Sequence, residues 1–299
     1  MEGLTNLGST CAINSLIQIL YRIDKFKNLI LNSSTPDNTL TFELKDLFNA
    51  LEVNKHSITP YRFITRFYEI FKGSFRQYEQ IDICELFILL ITKIHDETAI
   101  DITVNKSFSN ISEEHNYNIA RHNNFKSSDV YNLFQGSHMH YIRCLNCDDI
   151  SKTFEPFVII NLDIMPNSSI SNLINKHYSV ETINECDRIC DKCKTKSKYN
   201  KSLSIWKYPD VLFLSLNRFN DMNTKNNDLI NIDLQLFLKK IYVLQSVGFH
   251  HGCLNSGHYN SICRTSNTNF ILYDDNNVIP IKNLEPLLNT STSYILCYD

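Results

Sequence analysis

MEGLTNLGSTCAINSLIQILYRI, residues 1–23, reads as a Gly-punctuated loop that runs into an amphipathic helix. Ser9 or Thr10 is a suitable N-cap. Ile13, Leu16, Ile17 and Leu20 then recur at helical spacing as one apolar stripe. Cys11 falls in the first turn, where unpaired backbone N–H groups and the positive end of the helix dipole favour a thiolate over a thiol. Gly3 and Gly8 allow tight bends ahead of it. The amide of Asn6 can reach back over the same helix end. Most free cysteines are simply small buried hydrophobes. Cys11 becomes a nucleophile only if a base arrives from elsewhere in the chain.

The far end of the chain supplies one. His258 follows Gly257 and opens the alternating run Tyr259 to Cys263; a polar turn, Arg264 to Asn269, leads to a second strand that delivers Asp274 and Asp275. Two strands joined by a turn bring an acid at the end of one beside a His at the start of the other. Cys, His and Asp in that order form a workable thiol triad.

Between these ends, Asn32 to Asn38 reads as a loop, Leu40 to Leu51 as a helix, and Thr59-Pro60 as the opening of a helix through Tyr68 and Phe71. Asp82 precedes a helix from Ile83 to His95, with Leu86, Leu89, Leu90 and Lys93 on one face. Thr98 to Asp129 is Asn- and Ser-rich, has little periodicity and is expected to contain a surface loop. From Phe134 the pattern turns strand-like. Cys144-Leu145-Asn146-Cys147 and Cys190-Asp191-Lys192-Cys193 are two Cys-x-x-Cys knuckles, the arrangement of a closed, structural four-cysteine zinc site at the tip of a long hairpin. Cys186 lies in loop-like sequence and stays outside that ligand set. Val211 to Leu216 is a continuous apolar run, hence a strand buried on both faces, and Ile241 to Val247 is another strand. Asp221 to Asn231 is a polar loop, and His250 and His251 fall in a loop, Phe249 to Gly257.

The 299 residues are 43% hydrophobic, enough for a large core, and the net charge of −3 offers nothing to nucleic acid or an anionic membrane. The longest apolar run, Leu86 to Ile91, is far shorter than the roughly 20 residues of a membrane span. The chain opens Met-Glu-Gly without a signal peptide. Paired Cys-x-x-Cys knuckles point to a reducing compartment. A soluble, intracellular protein, cytoplasmic or nuclear, is expected.

GLTNLGSTCAINSLIQIL resembles the cysteine box of the ubiquitin-specific proteases, and SGHYNSIC with FILYDDNNV resembles their histidine box. GSFRQYEQIDICELFILLITKIHDE, FQGSHMHYIRCLNCDDISKTFEPFVIINLDI, YPDVLFLSLNRF and the terminal SYILCYD resemble further blocks of that family, in family order. The resemblance implies an α+β, papain-like fold forming one catalytic domain over residues 1–299. Its parts would be a helical thumb (about 1–130), zinc-ribbon fingers (about 135–207) and an antiparallel palm (about 208–299). It implies hydrolysis of the isopeptide or peptide bond after the C-terminal Gly of ubiquitin, through a thioester on Cys11. His258 is the base, Asp274 its acid partner, and Asn6 with the Cys11 N–H stabilises the oxyanion. Asp275, facing away on its strand, is a supporting acceptor. Substrate contacts fall to Gln80, Asp82, Glu85, His250, Gly257 and Tyr259. Asp82 and Glu85 would meet arginines of the substrate, although carboxylates so placed are equally a helix cap and a solvated charge. The thiolate would already be formed at neutral pH as an ion pair with His258.

One structural zinc is expected, with no cofactor in the chemistry. The partners implied are ubiquitin and ubiquitinated proteins, bound by a monomer. Three departures stand out: Ala12 replaces the family's aromatic after the Cys, Ile81 its second Gln, and Asn260 the commoner small or β-branched residue after Tyr259. The rival readings are a protease for another ubiquitin-like modifier and a catalytically silent ubiquitin-binding module.

Overall fold

The computed structural model describes residues 2–53, 56–184, 189–219, 224–253, 256–266 and 269–299. Cys186 and the start of the polar loop at Asp221 lie outside them. Seven helices come first: α1 (Cys11–Tyr21), α2 (Asp24–Leu31), α3 (Leu40–Val53), α4 (Tyr61–Ile70), α5 (Ile83–Thr98), α6 (Ile111–His122) and α7 (Asp129–Phe134). Asp82 caps α5 through bonds from the Cys84 and Glu85 amides.

The expected amphipathic α1 is buried on every side. It lies between the strand that carries His258 and helices α2 and α5, so its polar residues face protein too. They find partners on the N-terminal segment: Asn14 Nδ2 donates to Leu4 O (3.2 Å) and Gln18 Nε2 to Glu2 O (2.8 Å). Buried amides need such partners, and here they fasten residues 2–6 over the helix.

Within Thr98 to Asp129, expected to contain a surface loop, α6 is a helix that the sequence does not announce. Of the α6 side chains only His115 and Ala120 are fully buried, which is why no apolar period announces the helix. Capping holds it instead. Asn110 Oδ1 accepts from Glu113 N (3.0 Å), and the Glu113 carboxylate accepts from Ser109 N (2.8 Å).

Two sheets follow. The finger sheet has strand order β2-β1-β5-β4, from β1 (Gly136–Cys144), β2 (Ile150–Phe157), β4 (Glu181–Ile183) and β5 (Tyr199–Lys207), all antiparallel. The palm sheet runs β11-β10-β9-β8-β12-β6-β3. Its members are β3 (Ile160–Asp163), β6 (Leu212–Asn217), β8 (Ile241–Cys253), β9 (Ser256–Arg264), β10 (Phe270–Asp274), β11 (Asn277–Pro280) and β12 (Ser293–Tyr298), with β7 (Gln235–Phe237) also paired to β8.

The palm is antiparallel except at its edge, where β3 pairs with β6 in parallel. Residues 135–207 therefore supply a palm strand as well as fingers. They also supply α8 (Ile170–His177), whose Ile170, Leu173 and Ile174 pack under the palm with Leu212, Leu214 and Leu216. The other palm face, with Phe213 and Ile295, packs on α1, α5 and α7. β8 runs on to Cys253, so His250 and His251 lie in a strand and not in the loop expected for them.

Five histidines in this framework resist protonation. Burial lowers the pKa of His95, His115, His177, His138 and His250, the last two to about 4. An unfolded His takes up its proton near pH 6.5. The folded chain resists that proton, so this stabilisation is complete above about pH 6.5 and is lost as the pH falls toward about 4. We expect the unfolding temperature to drop between about pH 7 and pH 5, and His138→Gln to flatten the slope. Scanning fluorimetry across pH reads both; equal slopes in the two proteins would exclude His138 as a contributor.

Candidate active site

Cys11 is the first residue of α1 and is buried. Its Thr10 N-cap makes no side-chain cap bond to the helix. Thr10 Oγ1 instead accepts from Leu7 N (2.9 Å) and donates to Asn6 Oδ1 (3.2 Å), bracing the preceding loop. Asn6 reaches back over the helix end as expected: Oδ1 accepts from Gly8 N (2.9 Å) and Thr10 N (3.2 Å). Three donors on Oδ1 leave one orientation for the amide. Its Nδ2 donates to Asp275 Oδ2 (2.9 Å), while Asn14 Nδ2 donates to Asp275 Oδ1 (2.8 Å).

Asp275 therefore does not face away. It lies just past the end of β10 with φ of 51°, and its carboxylate turns onto the loop before Cys11. Short polar side chains tolerate this left-handed conformation.

β9 and β10 bring His258 and Asp274 together, His258 Nε2 lying 2.5 Å from Asp274 Oδ1. His258 Nδ1 is thus the nitrogen left for a thiol. β9 also packs directly on α1, where Ser261 Oγ donates to Ser15 O (3.4 Å). Burial opposes the ready-made thiolate expected for Cys11. Burial raises the Cys11 pKa and the Asp275 charge adds to it; hydrogen bonding from the backbone at Tyr259 and Ala12 pulls the other way without cancelling them.

A cleft of about 560 Å³ lies nearby, lined by Gln80, Asp82, Glu85, His250 and Tyr259, five of the six expected contact residues. The sixth, Gly257, is the floor beneath His250: a Cβ there would stand 2.1 Å from His250 Nε2. Sequence reasoning missed Tyr78 and Phe219, which also line the cleft, and Tyr294, whose ring packs on Phe219 and His250. Their only signal was an aromatic side chain in a polar or strand-like stretch. Asp82 has the cap role: besides the α5 amides it accepts a 2.5 Å bond from Tyr294 Oη. It stands in the cleft wall with its lone pairs already engaged.

At the finger tip the sulfurs of Cys144, Cys147, Cys190 and Cys193 all lie within 4.8 Å of one another, with Cys144–Cys193 at 3.9 Å and Cys147–Cys190 at 3.6 Å. Tetrahedral zinc with Zn–S bonds of about 2.3 Å needs sulfurs about 3.8 Å apart, so the four fit that ion. Ser197 Oγ lies 2.9 Å from Cys144 Sγ and Thr195 Oγ1 3.0 Å from Cys193 Sγ, which supplies outer hydrogen bonds to the sulfurs. Among the described residues no helix is long and apolar enough to cross a membrane.

The sequence model of a family described as ubiquitin carboxyl-terminal hydrolase matches residues 2–298. Ubiquitin carboxyl-terminal hydrolase 12 of Salmo salar is 30% identical over 336 residues, covering 99% of this chain and 88% of that protein. Ubiquitin carboxyl-terminal hydrolase 4 of Arabidopsis thaliana is 28% identical, covering 99% and 92%. Among solved structures, the SAGA DUB module Ubp8/Sgf11/Sus1/Sgf73 bound to monoubiquitin matches with a TM-score of 0.79 at 25% identity. The match covers all of this chain and 68% of that one. The yeast SAGA DUB module with an Sgf73 variant gives 0.80 at 24% identity over the same shares and supports the fold.

The shared use of Asp82 has a measurable consequence. Asp82→Ala removes the α5 cap, worth about 1 kcal/mol, and strands the buried Tyr294 hydroxyl, worth about 1 kcal/mol or more. We expect urea denaturation to show a loss of about 2 kcal/mol, and Tyr294→Phe a smaller one. Equal losses would mean that the cap contributes nothing.

Proposed function

The chain belongs to the ubiquitin carboxyl-terminal hydrolase family, whose members are cysteine peptidases, and we propose that Cys11, His258, Asp274 and Asn6 perform its deubiquitinating reaction. The observation that carries the assignment is the packing of the His258–Asp274 pair, on β9 and β10, against the helix that begins at Cys11. His258 Nδ1 takes the thiol proton as Sγ attacks the carbonyl of the C-terminal Gly of ubiquitin. Asp274, on Nε2, fixes the ring and stabilises the imidazolium.

Burial raises the Cys11 pKa, which disfavours a resting thiolate. Asp275 takes one hydrogen of the Asn6 amide and the other remains for the oxyanion, beside the Cys11 N–H at the start of α1. Such a donor contributes about 3 kcal/mol to the transition state. Imidazolium then protonates the departing amine. Water, deprotonated by His258, hydrolyses the thioester and frees the Gly carboxylate and the thiol.

The cleft holds the C-terminal tail of ubiquitin. His250 sits directly over Gly257, with no space between them for a Cβ. Exposed Glu85 on its rim suits a basic residue of that tail. At the finger tip, Zn2+ on the four Cys ligands supplies a structural cross-link that fixes a hairpin with little core of its own. We further propose that the chain acts as a monomer inside the cell, without nucleic acid or membrane as a partner.

Mixing the protein with ubiquitin that carries a C-terminal electrophile should add one ubiquitin by intact mass, and Cys11→Ala should add none. An adduct formed only with another modifier would keep the chemistry and change the substrate. No adduct from a folded, metal-loaded sample would leave a binding module. Asn6→Ala should lower kcat about a hundredfold with the protein still folded. Metal analysis should find one zinc per chain in the wild type and none in Cys190→Ser; a zinc-free, fully folded wild type would remove the metal from this account.

A further inference from the structure

Strand β12 begins at Ser293, opposite the middle of β8. β8 continues past it, and the last amide it shares on that side is His250 N, which donates to Thr292 O (2.8 Å). A strand residue points its N–H and C=O to the same side. The carbonyls of His250 and Gly252 therefore face a place where the sheet has run out of strands. Unfilled, they would be edge acceptors beside a cleft.

Lys225 fills that place. Its Nζ donates to His250 O (2.6 Å) and to Gly252 O (3.3 Å). The base from which Lys225 reaches is rigidly built. Lys225 pairs with Phe219 in an isolated antiparallel bridge, and Asn226 N donates to Arg218 O (2.6 Å). The guanidinium of Arg218, fully buried, donates to the carbonyls of Asn226 (3.0 Å), Asp228 (3.1 Å), Thr290 (3.3 Å) and Ser293 (2.5 Å). One cation anchors the segment to the sheet, and the second ties it to the free end of β8.

Both tied elements face the cleft. Phe219 and His250 line it, with ring centroids 5.5 Å apart. At Gly252 φ is 96° and a Cβ would meet Ser256 O at 2.4 Å, so this position of the hairpin is kept for glycine. Across the ladder His251 stands opposite His258.

We propose that Lys225 is a positioning residue of the substrate cleft. Its ammonium locks the segment carrying Phe219 to the strand end carrying His250, and so sets the width of the passage for the substrate's tail. It touches neither substrate nor reacting atoms. The proposal rests on the reading of the cleft as the tail site.

Three forms of the full chain test it: wild type, Lys225→Met, which keeps the stem and removes the ammonium, and Lys225→Arg, which keeps a cationic donor. Steady-state hydrolysis of ubiquitin bearing a C-terminal fluorogenic amide is measured together with hydrogen exchange. Lys225→Met should raise KM about tenfold with kcat within about twofold, the pattern of lost uniform binding. Amides of 224–228 and 248–253 should exchange faster in it, and Lys225→Arg should recover most of both effects. Wild-type KM and exchange in Lys225→Met would overturn the latch, as would a fall confined to kcat. Absence of turnover in the wild type itself would instead overturn the tail-cleft reading, and the proposal with it.

Discussion

The Asp275 carboxylate joins the two ends of the chain, and the site depends on that junction. One oxygen takes the amide of Asn6, 269 positions away, and the other that of Asn14, 261 positions away; its own carbonyl accepts from Leu4 N (2.9 Å). Hydrogen bonds to a charged partner contribute about 1.5–3 kcal/mol each, unlike exposed ion pairs, which are worth little. Asp274 and Asp275 are neighbours, yet the chain turns between them. One acid then addresses the base and the other the loop that precedes the nucleophile. The start of α1 and the hairpin bearing His258 are in this way one rigid unit. A triad split across a whole sequence needs such a tie, since a misplacement of about 1 Å is enough to cost most of a rate enhancement.

The same carboxylate has an electrostatic consequence. Burial raises the Cys11 pKa, and the Asp275 charge adds to that effect. The carboxylate that opposes a thiolate there is also the one that holds the Asn6 amide.

Where local chemistry is strong, the sequence is legible. Asp82 before Ile83 announces a helix start and caps α5, and the apolar run Val211 to Leu216 is a strand buried on both faces. Cys11, His258 and Asp274 stand out because nucleophile, base and acid each carry a recognisable neighbourhood. What could not be read depends on partners distant in the chain. α6 buries a His and an Ala and so lacks an apolar period. His250 looks like loop because its neighbours are polar, although β9 and the turn at Thr292 hold it in a strand. Asp275 reads as a residue alternating out of a strand, and only its left-handed φ, set by the loop it meets, turns it inward. Tyr294 signals no more than an aromatic in a strand-like stretch, because its value is a bond to Asp82 from 212 positions away.

This division follows from how the molecule is layered. The groups proposed as catalytic stand on α1, β9 and β10, which are packed in the interior and joined through Asp275. The walls of the cleft stand on the approach to α5, on the end of β8 and on the segment after β6, elements that meet one another chiefly through Tyr294, Asp82 and Lys225. A change in a cleft wall can therefore alter what enters without disturbing the geometry of proton transfer. The converse does not hold. Asn6, Asn14 and Asp275 fasten the N-terminal segment to the strand end beside the proposed triad, so a substitution among them is expected to reach both the local structure and turnover.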